Sequence, residues 1–393
     1  MKVRLRYSVV ILSAVLAILA LLAGCASGTN TIPAPAGNLW GYIHADGTWA
    51  IKAQFEKAGY FSDGLAPVEV GGKWGYINQA GQTVIKPQFT AANHFHDGLA
   101  RVATKPDATK AGPGAGYGWI DETGKFVIPP TWDKADDFFG GLAVVEKGSA
   151  FGYVDTKGKI VIPLKFQGAG GFSEGLAYAE SGGKWGYIDD RGSWIITPRY
   201  GKATSGLLVE TQLAILDQGF LGVGQFRNGY AVVWDAGKNY KSGVCHFIDK
   251  TGKKVFGRDF QAAAWFSEGL AAVEVDGEWG FIDTSGHMVI PPQFGMYYGL
   301  SFPGFSEGLV AVKNLVGDVT GEVGYIDKTG NWVIQPNYVT GSTFGDGLAY
   351  VWTVSDMFSD TPDEMIDKSG HVVYRNAAHL STTSTSGNTY EGD

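Results

Sequence analysis

Cysteine is nearly absent from this chain, with two residues in 393. So few cysteines exclude a scaffold that is held together by several disulfides. Basic residues are also scarce, because Lys and Arg number 31 against 39 Asp and Glu, and all charged residues make up only 18% of the sequence. A net charge of −8 argues against a nucleic-acid-binding protein, since such proteins normally carry a basic surface.

Glycine and aromatic residues are abundant instead. The chain has 58 Gly, and Phe, Trp and Tyr together reach 13%, which is too rich in aromatic side chains for an intrinsically disordered protein. The glycines do not recur at every third position, so a collagen-like helix is excluded. Strand-forming aromatics combined with turn-forming glycines favour an all-β fold with many tight turns.

The N-terminal residues have the order of a secretion signal, with a basic start, an apolar stretch and small residues. The apolar run 8–23 ends in the string Leu-Ala-Gly-Cys25. A retained membrane helix is the alternative, because the run is near the lower length limit for spanning a bilayer. The string resembles the lipobox of bacterial lipoproteins, which implies cleavage after Gly24 and lipidation of Cys25. We therefore predict a signal peptide at 1–24.

The same resemblance implies a location. Diacylglycerol on Cys25 and a further acyl chain such as palmitate on the new N-terminus would anchor the protein in a membrane, since stable anchoring needs more than one lipid chain. Ala26 and Ser27 follow without an Asp, and in a Gram-negative host this pattern implies the outer membrane, with the domain facing the periplasm or the surface. With its small, polar and Pro-containing sequence, the stretch 25–38 is predicted to be the lipidated Cys and a flexible tether.

The rest of the chain repeats one pattern, which begins with Trp-Gly-Tyr-Ile-Asp. Copies begin at Trp40, Trp74, Tyr117, Phe151, Trp185, Cys245, Trp279 and Val323, and a degenerate ninth begins at Asp363. Four of the eight spacings are 34 residues. A second block of the type Phe-Ser-Glu-Gly-Leu-Ala-x-Val follows each start. Over residues 39–375 these blocks resemble the bacterial WG-repeat family, and that resemblance implies no catalytic residues.

Each unit predicts three antiparallel strands: Leu-Ala-x-Val, Trp-Gly-Tyr-Ile-Asp and x-Val-Ile, the last two joined by an Asp-x-x-Gly turn. A single unit cannot bury both faces, so the units must stack. The predicted fold is an all-β repeat array of about eight to nine three-stranded meanders, either propeller-like or an open twisted solenoid. Because the unit is shorter than a usual propeller blade, we favour an open array over a closed ring.

Aromatic residues divide into framework and candidate site. Fixed-period tryptophans are predicted to form the core between units: Trp40, Trp74, Trp185 and Trp279. Insertions lengthen six connections, at 103–116, 201–225, 234–244, 295–304, 313–322 and 352–362. Because insertions in repeat proteins often form the binding surface, their aromatics are candidate partner-binding residues: Trp234, Tyr240, Tyr297, Tyr298 and Trp352. The polar tail 376–393 is predicted to be disordered.

Motifs with catalytic potential recur as repeat residues. Gly-x-Ser-x-Gly surrounds Ser173 and Ser306, but a nucleophile elbow needs a strand-to-helix turn with His and acid partners. The acids of these turns recur in most units, whereas a glycosidase needs a unique carboxylate pair. His94 and His96 lack the third ligand of a metal site. Cys245 is expected to be a small buried hydrophobe.

The sequence therefore predicts a non-enzymatic, lipid-anchored protein of the cell envelope, without metal or cofactor. Its β-repeat surface is expected to bind an envelope protein partner. The alternative is a glycan- or peptidoglycan-binding module, which would use exposed Trp and Tyr to stack on sugar rings. An enzyme is less favoured, and nucleic acid is not expected as a partner.

Overall fold

The computed structural model describes residues 31–105, 116–201, 223–234, 244–295, 304–315, 322–353 and 361–376. These segments consist of short antiparallel β-strands joined by turns, and they contain no helix. Within them, accordingly, no helix has the length and apolar character needed to cross a membrane. An all-β repeat fold is confirmed.

The strands form nine consecutive blades in the described residues, with blades seven and eight joined in one seven-stranded sheet. Blades one to three comprise β1 (Thr31–Ala36), β2 (Leu39–His44), β3 (Trp49–Phe55); β4 (Lys57–Ala58), β5 (Leu65–Val70), β6 (Lys73–Asn78), β7 (Thr83–Phe89); and β8 (Ala91–His96), β9 (Leu99–Ala103), β10 (Tyr117–Ile120), β11 (Phe126–Trp132).

Blades four to six comprise β12 (Lys134–Ala135), β13 (Leu142–Lys147), β14 (Ala150–Asp155), β15 (Ile160–Phe166); β16 (Gly168–Ala169), β17 (Ala177–Ser181), β18 (Lys184–Ile188), β19 (Trp194–Tyr200); and β20 (Tyr230–Trp234), β21 (Cys245–Asp249). Blades seven to nine comprise β22 (Ala262–Ala263), β23 (Leu270–Val275), β24 (Glu278–Asp283), β25 (Met288–Gly295); β26 (Leu309–Asn314), β27 (Val323–Asp327), β28 (Trp332–Tyr338); and β29 (Thr340–Gly341), β30 (Leu348–Trp352), β31 (Glu364–Asp367), β32 (Val372–Arg375).

Most blades contain one short strand beyond the three that the sequence predicts. We call the four strand positions a to d in chain order, and the predicted strands occupy b, c and d. The crossover supplies position a, as in Lys57–Ala58, which pairs with the end of strand b. It then enters a two-residue turn in which Asp63 and Gly64 have φ of 50° and 80°. Two positive φ values define a type I′ turn, whose twist matches that of the flanking strands.

The glycine of Trp-Gly-Tyr is required by the strand beside it. In blade two, Trp74 pairs with Phe89 and Tyr76 pairs with Ile85, so strand d carries two extra residues that bulge towards strand c. A Cβ added to Gly75 would lie 2.4 Å from the Ile85 carbonyl oxygen. Glycine at this position therefore permits the close approach of the two backbones.

Adjacent blades share apolar cores, and each described interface has its own cluster of buried residues. The side chain of the tyrosine in Trp-Gly-Tyr reaches from its own blade to the following one. In five blades its hydroxyl donates a hydrogen bond of 2.7–2.8 Å to a carbonyl oxygen just before the a–b turn of the following blade; these tyrosines are Tyr42, Tyr76, Tyr153, Tyr187 and Tyr325. Burial of the rings therefore leaves no unpaired hydroxyl at these positions.

The ring of blades is closed, so our preference for an open array was wrong. Ile32 and Ala34 of blade one pack into the same buried cluster as Tyr350 of blade nine. The Tyr350 hydroxyl donates a 2.6 Å hydrogen bond to the Pro33 carbonyl oxygen, and the Tyr374 hydroxyl donates to Pro35. The short unit suggested an open array, but a 34-residue blade gains its fourth strand from the crossover.

One contact that links all the other neighbouring blades is also present between blades nine and one. The glycine of each c–d turn lies against the preceding blade, and in all but blade seven against strand d of that blade, as Gly81 lies against Ile51 and Gly192 against Ile162. Gly47 of blade one lies in the same way against Val373 of blade nine. The last interface is therefore of the same kind as the others.

Two predicted boundaries are wrong because of this closure. Residues 31–36, assigned to the flexible tether, form strand β1, and Ile32 is only 2% exposed. Asn376, assigned to the disordered tail, is 1% exposed, and its Oδ1 accepts a hydrogen bond from the Gly37 amide. The signal peptide, Cys25 and residues 377–393 lie outside the described residues.

Candidate functional site

The two ends of every blade carry different connections. In blade two, Leu65 pairs with Asn78 at one end of strands b and c, and Val70 pairs with Lys73 at the other. The a–b and c–d turns, 62–65 and 78–81, lie at the first end, which we call the clasp face. The b–c turn and the crossover to the next blade lie at the opposite end, which we call the insertion face.

Five of the six insertions start and finish at the insertion face. Four of them join strand b to strand c, and their flanking pairs are Ala103 with Tyr117, Trp234 with Cys245, Lys313 with Val323, and Val351 with Glu364. The other two are crossovers from strand d to the next blade. The flanks of 201–225 lie at the insertion face, where the Gly201 amide donates to the Trp234 carbonyl oxygen and Val223 pairs with Val233. The crossover 295–304 begins at the insertion face, with Gly295 paired to Lys313, and ends beside the clasp face, where Gly304 lies against Ser267. The sequence places the insertions in loops, but only the strand register shows that five of them share one face.

The clasp face consists of turns that bind each other. The Ser of each Phe-Ser-x-Gly turn donates its hydroxyl to the carbonyl oxygen of the equivalent Phe in the next blade. Ser173 Oγ lies 2.6 Å from Phe226 O, and Ser306 Oγ lies 2.7 Å from Phe344 O. The Gly-x-Ser-x-Gly strings are therefore type I′ turns between strands, and their hydroxyls hold adjacent blades together.

The acid beside each Ser extends this contact. Glu268 accepts a 3.0 Å hydrogen bond from the Gly308 amide of the next blade and forms a 3.0 Å ion pair with Lys328. Burial raises the pKa of Glu268, but the hydrogen bonds from Lys328 and Gly308 outweigh it, so its pKa lies below the ordinary value. The equivalent pairs are Glu174 with Lys250 and Glu307 with Lys368. We call these Ser, acid and Lys contacts the inter-blade clasp.

A shallow depression of about 420 Å³ lies on the clasp face between blades five, six and seven. It is lined by Ser173, Glu174, Ser267, Glu268 and Arg227 among others. The Ser and Glu side chains already bind the next blade, and the Arg227 guanidinium lies 4.9 Å from the centre of the Trp265 ring. The polar groups of this depression are thus engaged in joining the blades.

His94 and His96 have different surroundings. His94 Nε2 accepts a 3.0 Å hydrogen bond from the Tyr60 amide, and burial lowers the pKa of His94 to about 4. His96 is exposed. Within the described segments, no group of three or more His, Cys, Asp and Glu side chains is arranged to hold a metal ion. Cys245 is fully buried, and burial raises its pKa, so its thiol is kept protonated.

The predicted framework tryptophans are in the core. Trp40, Trp185 and Trp279 are 3–6% exposed, and Trp74 packs partly buried against the core of blades two and three. Trp185 also packs edge-to-face on Tyr178, with 5.5 Å between the ring centres. A Cβ added to Gly168 would lie 2.6 Å from the Trp185 ring.

Trp234 and Trp352, proposed as exposed partner-binding residues, are instead buried at 5% exposure each. Both end their strand b, and both take the repeat position that is a Glu in other blades, such as Glu180. In blade five Glu180 pairs with Trp185, whereas in blade six Trp234 pairs with the small Cys245. The large ring has moved to the neighbouring strand, so the interface keeps its volume.

Blade nine shows the same exchange, because Asp363 replaces the tryptophan of strand c and Trp352 ends strand b. The sequence contained the signal for this compensation. Blades six and nine lack an aromatic residue at the start of the repeat, and each has a Trp at the end of strand b instead. Blade eight, which has a Val at the start of the repeat, is the exception. Tyr240, Tyr297 and Tyr298 lie outside the described residues, and their role stays a prediction.

Comparison with protein families gives a match to the family described as "WG containing repeat". Its profile matches eight times, at residues 40–74, 74–104, 117–149, 151–185, 185–205, 247–279, 279–314 and 324–351. These matches cover most of the nine blades. Among curated proteins, none matches this chain.

Comparison with solved structures shows the fold alone. A crystal structure of a eukaryotic initiation factor has a TM-score of 0.57 at 12% identity, over 88% of this chain and 95% of that one. Hsv2 of Kluyveromyces lactis has a TM-score of 0.37 at 10% identity, over 76% and 92% of the two chains. PorZ of Porphyromonas gingivalis has a TM-score of 0.31 at 11% identity, over 89% and 51%. The last two scores are too low to support any argument.

Proposed function

Because this chain belongs to the family of proteins with WG-containing repeats, we propose that it is a non-enzymatic, lipid-anchored protein of the cell envelope that binds a protein partner through its insertion face. The observation that carries the proposal is that five of the six insertions, all except 295–304, begin and end at one face of the ring. The framework must satisfy the same packing in each blade, whereas insertions are free to differ, and binding residues concentrate on such loops.

The clasp face supports a structural role for the repeated polar residues. Its Ser and Glu side chains bind the next blade, and its Lys side chains bind the preceding one. A catalytic Ser needs a base within hydrogen-bond reach and an oriented partner for that base. Here the Ser hydroxyls donate to main-chain carbonyls, which take no proton. The repeated groups therefore have a sufficient explanation in holding the ring together.

A protein partner is favoured over a glycan by the position of the aromatic rings. Sugar binding by stacking needs exposed Trp or Tyr faces, and the repeat tryptophans Trp40, Trp185 and Trp279 are buried. Trp234 and Trp352, which border two insertions, are buried as well. Glycan binding would then depend on other rings, such as those of Tyr240, Tyr297 and Tyr298 in the insertions.

Lipid anchoring is proposed from the Leu-Ala-Gly-Cys25 string. Cys25→Ser should block acyl labelling with palmitate and processing of the precursor, because the thiol that carries diacylglycerol is missing. Cys245→Ser serves as the matched control, since that thiol is buried and should leave labelling unchanged. Labelling of the Cys25→Ser chain would contradict the proposal.

Partner binding is tested by shortening insertions to the length of an ordinary blade. The crossover of blade five would become ordinary if a single Gly replaced 202–222, because Val223 is buried in the core and must stay. In blade six, residues 235–244 would be replaced by Ser-Gly-Gly-Lys, which is the sequence of the turn before Trp185 in blade five. A soluble chain that begins at Ala26 would be used to capture proteins from the native envelope, followed by mass spectrometry.

We expect the shortened chains to lose one or more captured proteins and to unfold at nearly the same denaturant concentration as the parent. Lys328→Ala, a substitution on the clasp face, is the control that should leave capture unchanged. If both shortened chains fold and still capture each partner of the parent, the insertion face is not the binding surface. A glycan array with the same chains would reveal the alternative ligand.

A further inference from the structure

We infer that the ring stands on the membrane with its clasp face towards the lipid and its insertion face away from it. This inference rests on the proposed lipidation of Cys25. It means that a partner reaches the protein from the aqueous side, and not from the side that faces the bilayer.

The first argument is the point at which the chain enters the ring. Strand β1 runs antiparallel to β2, with Thr31 opposite His44 and Ala36 opposite Leu39. His44 begins the c–d turn of blade one, because its carbonyl oxygen accepts the Gly47 amide. Thr31 therefore lies at the clasp face, and the chain then runs towards the insertion face.

The second argument is the reach of the chain between the lipid and the ring. Five residues, 26–30, separate Cys25 from Thr31. A fully extended chain spans at most about 3.6 Å per residue, so Thr31 lies within roughly 22 Å of Cys25. This limit follows from covalent geometry, and it holds whatever conformation these residues adopt.

The third argument compares that reach with the height of a blade. Strands b and c of about six residues rise roughly 3.3 Å each, so the insertion face is about 20 Å beyond the clasp face. Bringing the insertion face to the bilayer would require the tether to run along the whole side of the ring, which would use nearly all of its length. With the clasp face nearest the lipid, the tether takes a shorter path than with the insertion face nearest it.

The C-terminal end agrees with this orientation. Arg375 at the end of strand β32 pairs with Glu364, which is the first residue of strand β31. Asn376 lies beside Gly37 in the b–c turn of blade one. Asn376, the last described residue, therefore lies at the insertion face, where five of the six insertions begin and end. These five insertions thus join the ring on the side away from the anchor.

Fluorescence energy transfer to the bilayer tests the orientation. Lys184 and Asp190 lie at opposite ends of strand β18 in blade five, and both are exposed. Lys184→Cys places a donor dye at the insertion face, and Asp190→Cys places it at the clasp face. In blade two, Lys73→Cys and Gln79→Cys form the matched pair. Cys245 is buried, and a lipidated Cys25 does not react with the dye.

The lipidated chains would be reconstituted into phosphatidylcholine vesicles that contain an acceptor-labelled lipid. We expect stronger transfer from Asp190→Cys and Gln79→Cys than from their partners, by an amount that corresponds to a separation of about 20 Å. Insertion of thirty Gly and Ser residues after Ser27 should remove most of the difference, because the ring is then free to turn.

Equal transfer within each pair, or stronger transfer from Lys73→Cys and Lys184→Cys, would overturn the orientation. Vesicle flotation separates this result from a failure of the proposed function. If the chain with Cys25 floats no better than Cys25→Ser, lipid anchoring itself is wrong, and the orientation is wrong with it. If the chain floats but the pairs show the opposite order, anchoring stands and the orientation is refuted.

Discussion

Gly186→Ala should destabilise the ring although it adds a single methyl group. The new Cβ would lie 2.4 Å from Ile196 O, 2.8 Å from Pro198 N and 2.9 Å from Thr197 C. Ordinary contacts of this kind are near 3.4 Å, and all three atoms are main chain, so strand d would have to move by about 1 Å. The pairs that flank the bulge, Trp185 with Tyr200 and Tyr187 with Ile196, would open. We expect a loss of about 3 kcal/mol in the free energy of unfolding, at the upper end for overpacking of a core.

Urea unfolding of the soluble chain, followed by tryptophan fluorescence, measures this loss. Gly183→Ala is the first control, because its Cβ would meet no atom within 4 Å and only the positive φ of 72° opposes it; about 1 kcal/mol is expected. Glu364→Ala is the second control, because Glu364 holds the same repeat position as Gly186, and strand d of blade nine lacks the two extra residues at this position, where Glu364 pairs with Arg375 and Met365 with Tyr374. If Gly186→Ala unfolds like the parent or like Gly183→Ala, the close approach does not explain the glycine.

Three further predictions concern the interfaces between blades. Trp185→Ala and Trp234→Ala should each cost about 3–5 kcal/mol, since both rings fill the same kind of buried site from different strands; unchanged unfolding of either would contradict this. Tyr187→Phe should cost about 1–3 kcal/mol, because it leaves the Gly224 carbonyl oxygen without its 2.7 Å donor, and the same unfolding assay measures it. Burial lowers the pKa of His94 from 6.5 to about 4, so its contribution is complete above pH 6.5 and is lost as the pH falls towards 4. The total is at most about 3 kcal/mol, and His94→Gln should flatten stability between pH 4 and 7; an unchanged pH profile would refute the role of His94.

The sequence predicted the strands b, c and d because their signals are local. Alternation of apolar residues defines the strands, and Asp-x-x-Gly defines the turn between c and d. Position a was not predicted, since its two residues bind strand b only after the chain has crossed to a new blade. Apolar periodicity needs several residues, and two are too few to show it.

Closure of the ring and burial of Trp234 could not be predicted from the sequence of a single repeat. Both depend on what a neighbouring blade supplies: Tyr350 fits blade one because Pro33 offers a carbonyl oxygen, and Trp234 is buried because Cys245 leaves room. The location of the insertions in loops was predictable from the sequence, but the strand register was needed to show which face of the ring five of them share. The Ser and acid residues of the clasp were correctly assigned to turns, while their partners in the next blade were not foreseen.

The hydrogen bond from Tyr374 to Pro35 joins residues 339 positions apart. A contact of such sequence separation forms late, because a long stretch of chain must be ordered before its ends can meet. During synthesis, blade one therefore has an uncovered apolar side until blade nine has been made. A chain truncated anywhere before blade nine would expose two such sides permanently, at its first and last blades. Premature termination should then yield aggregated or degraded protein rather than a smaller working ring.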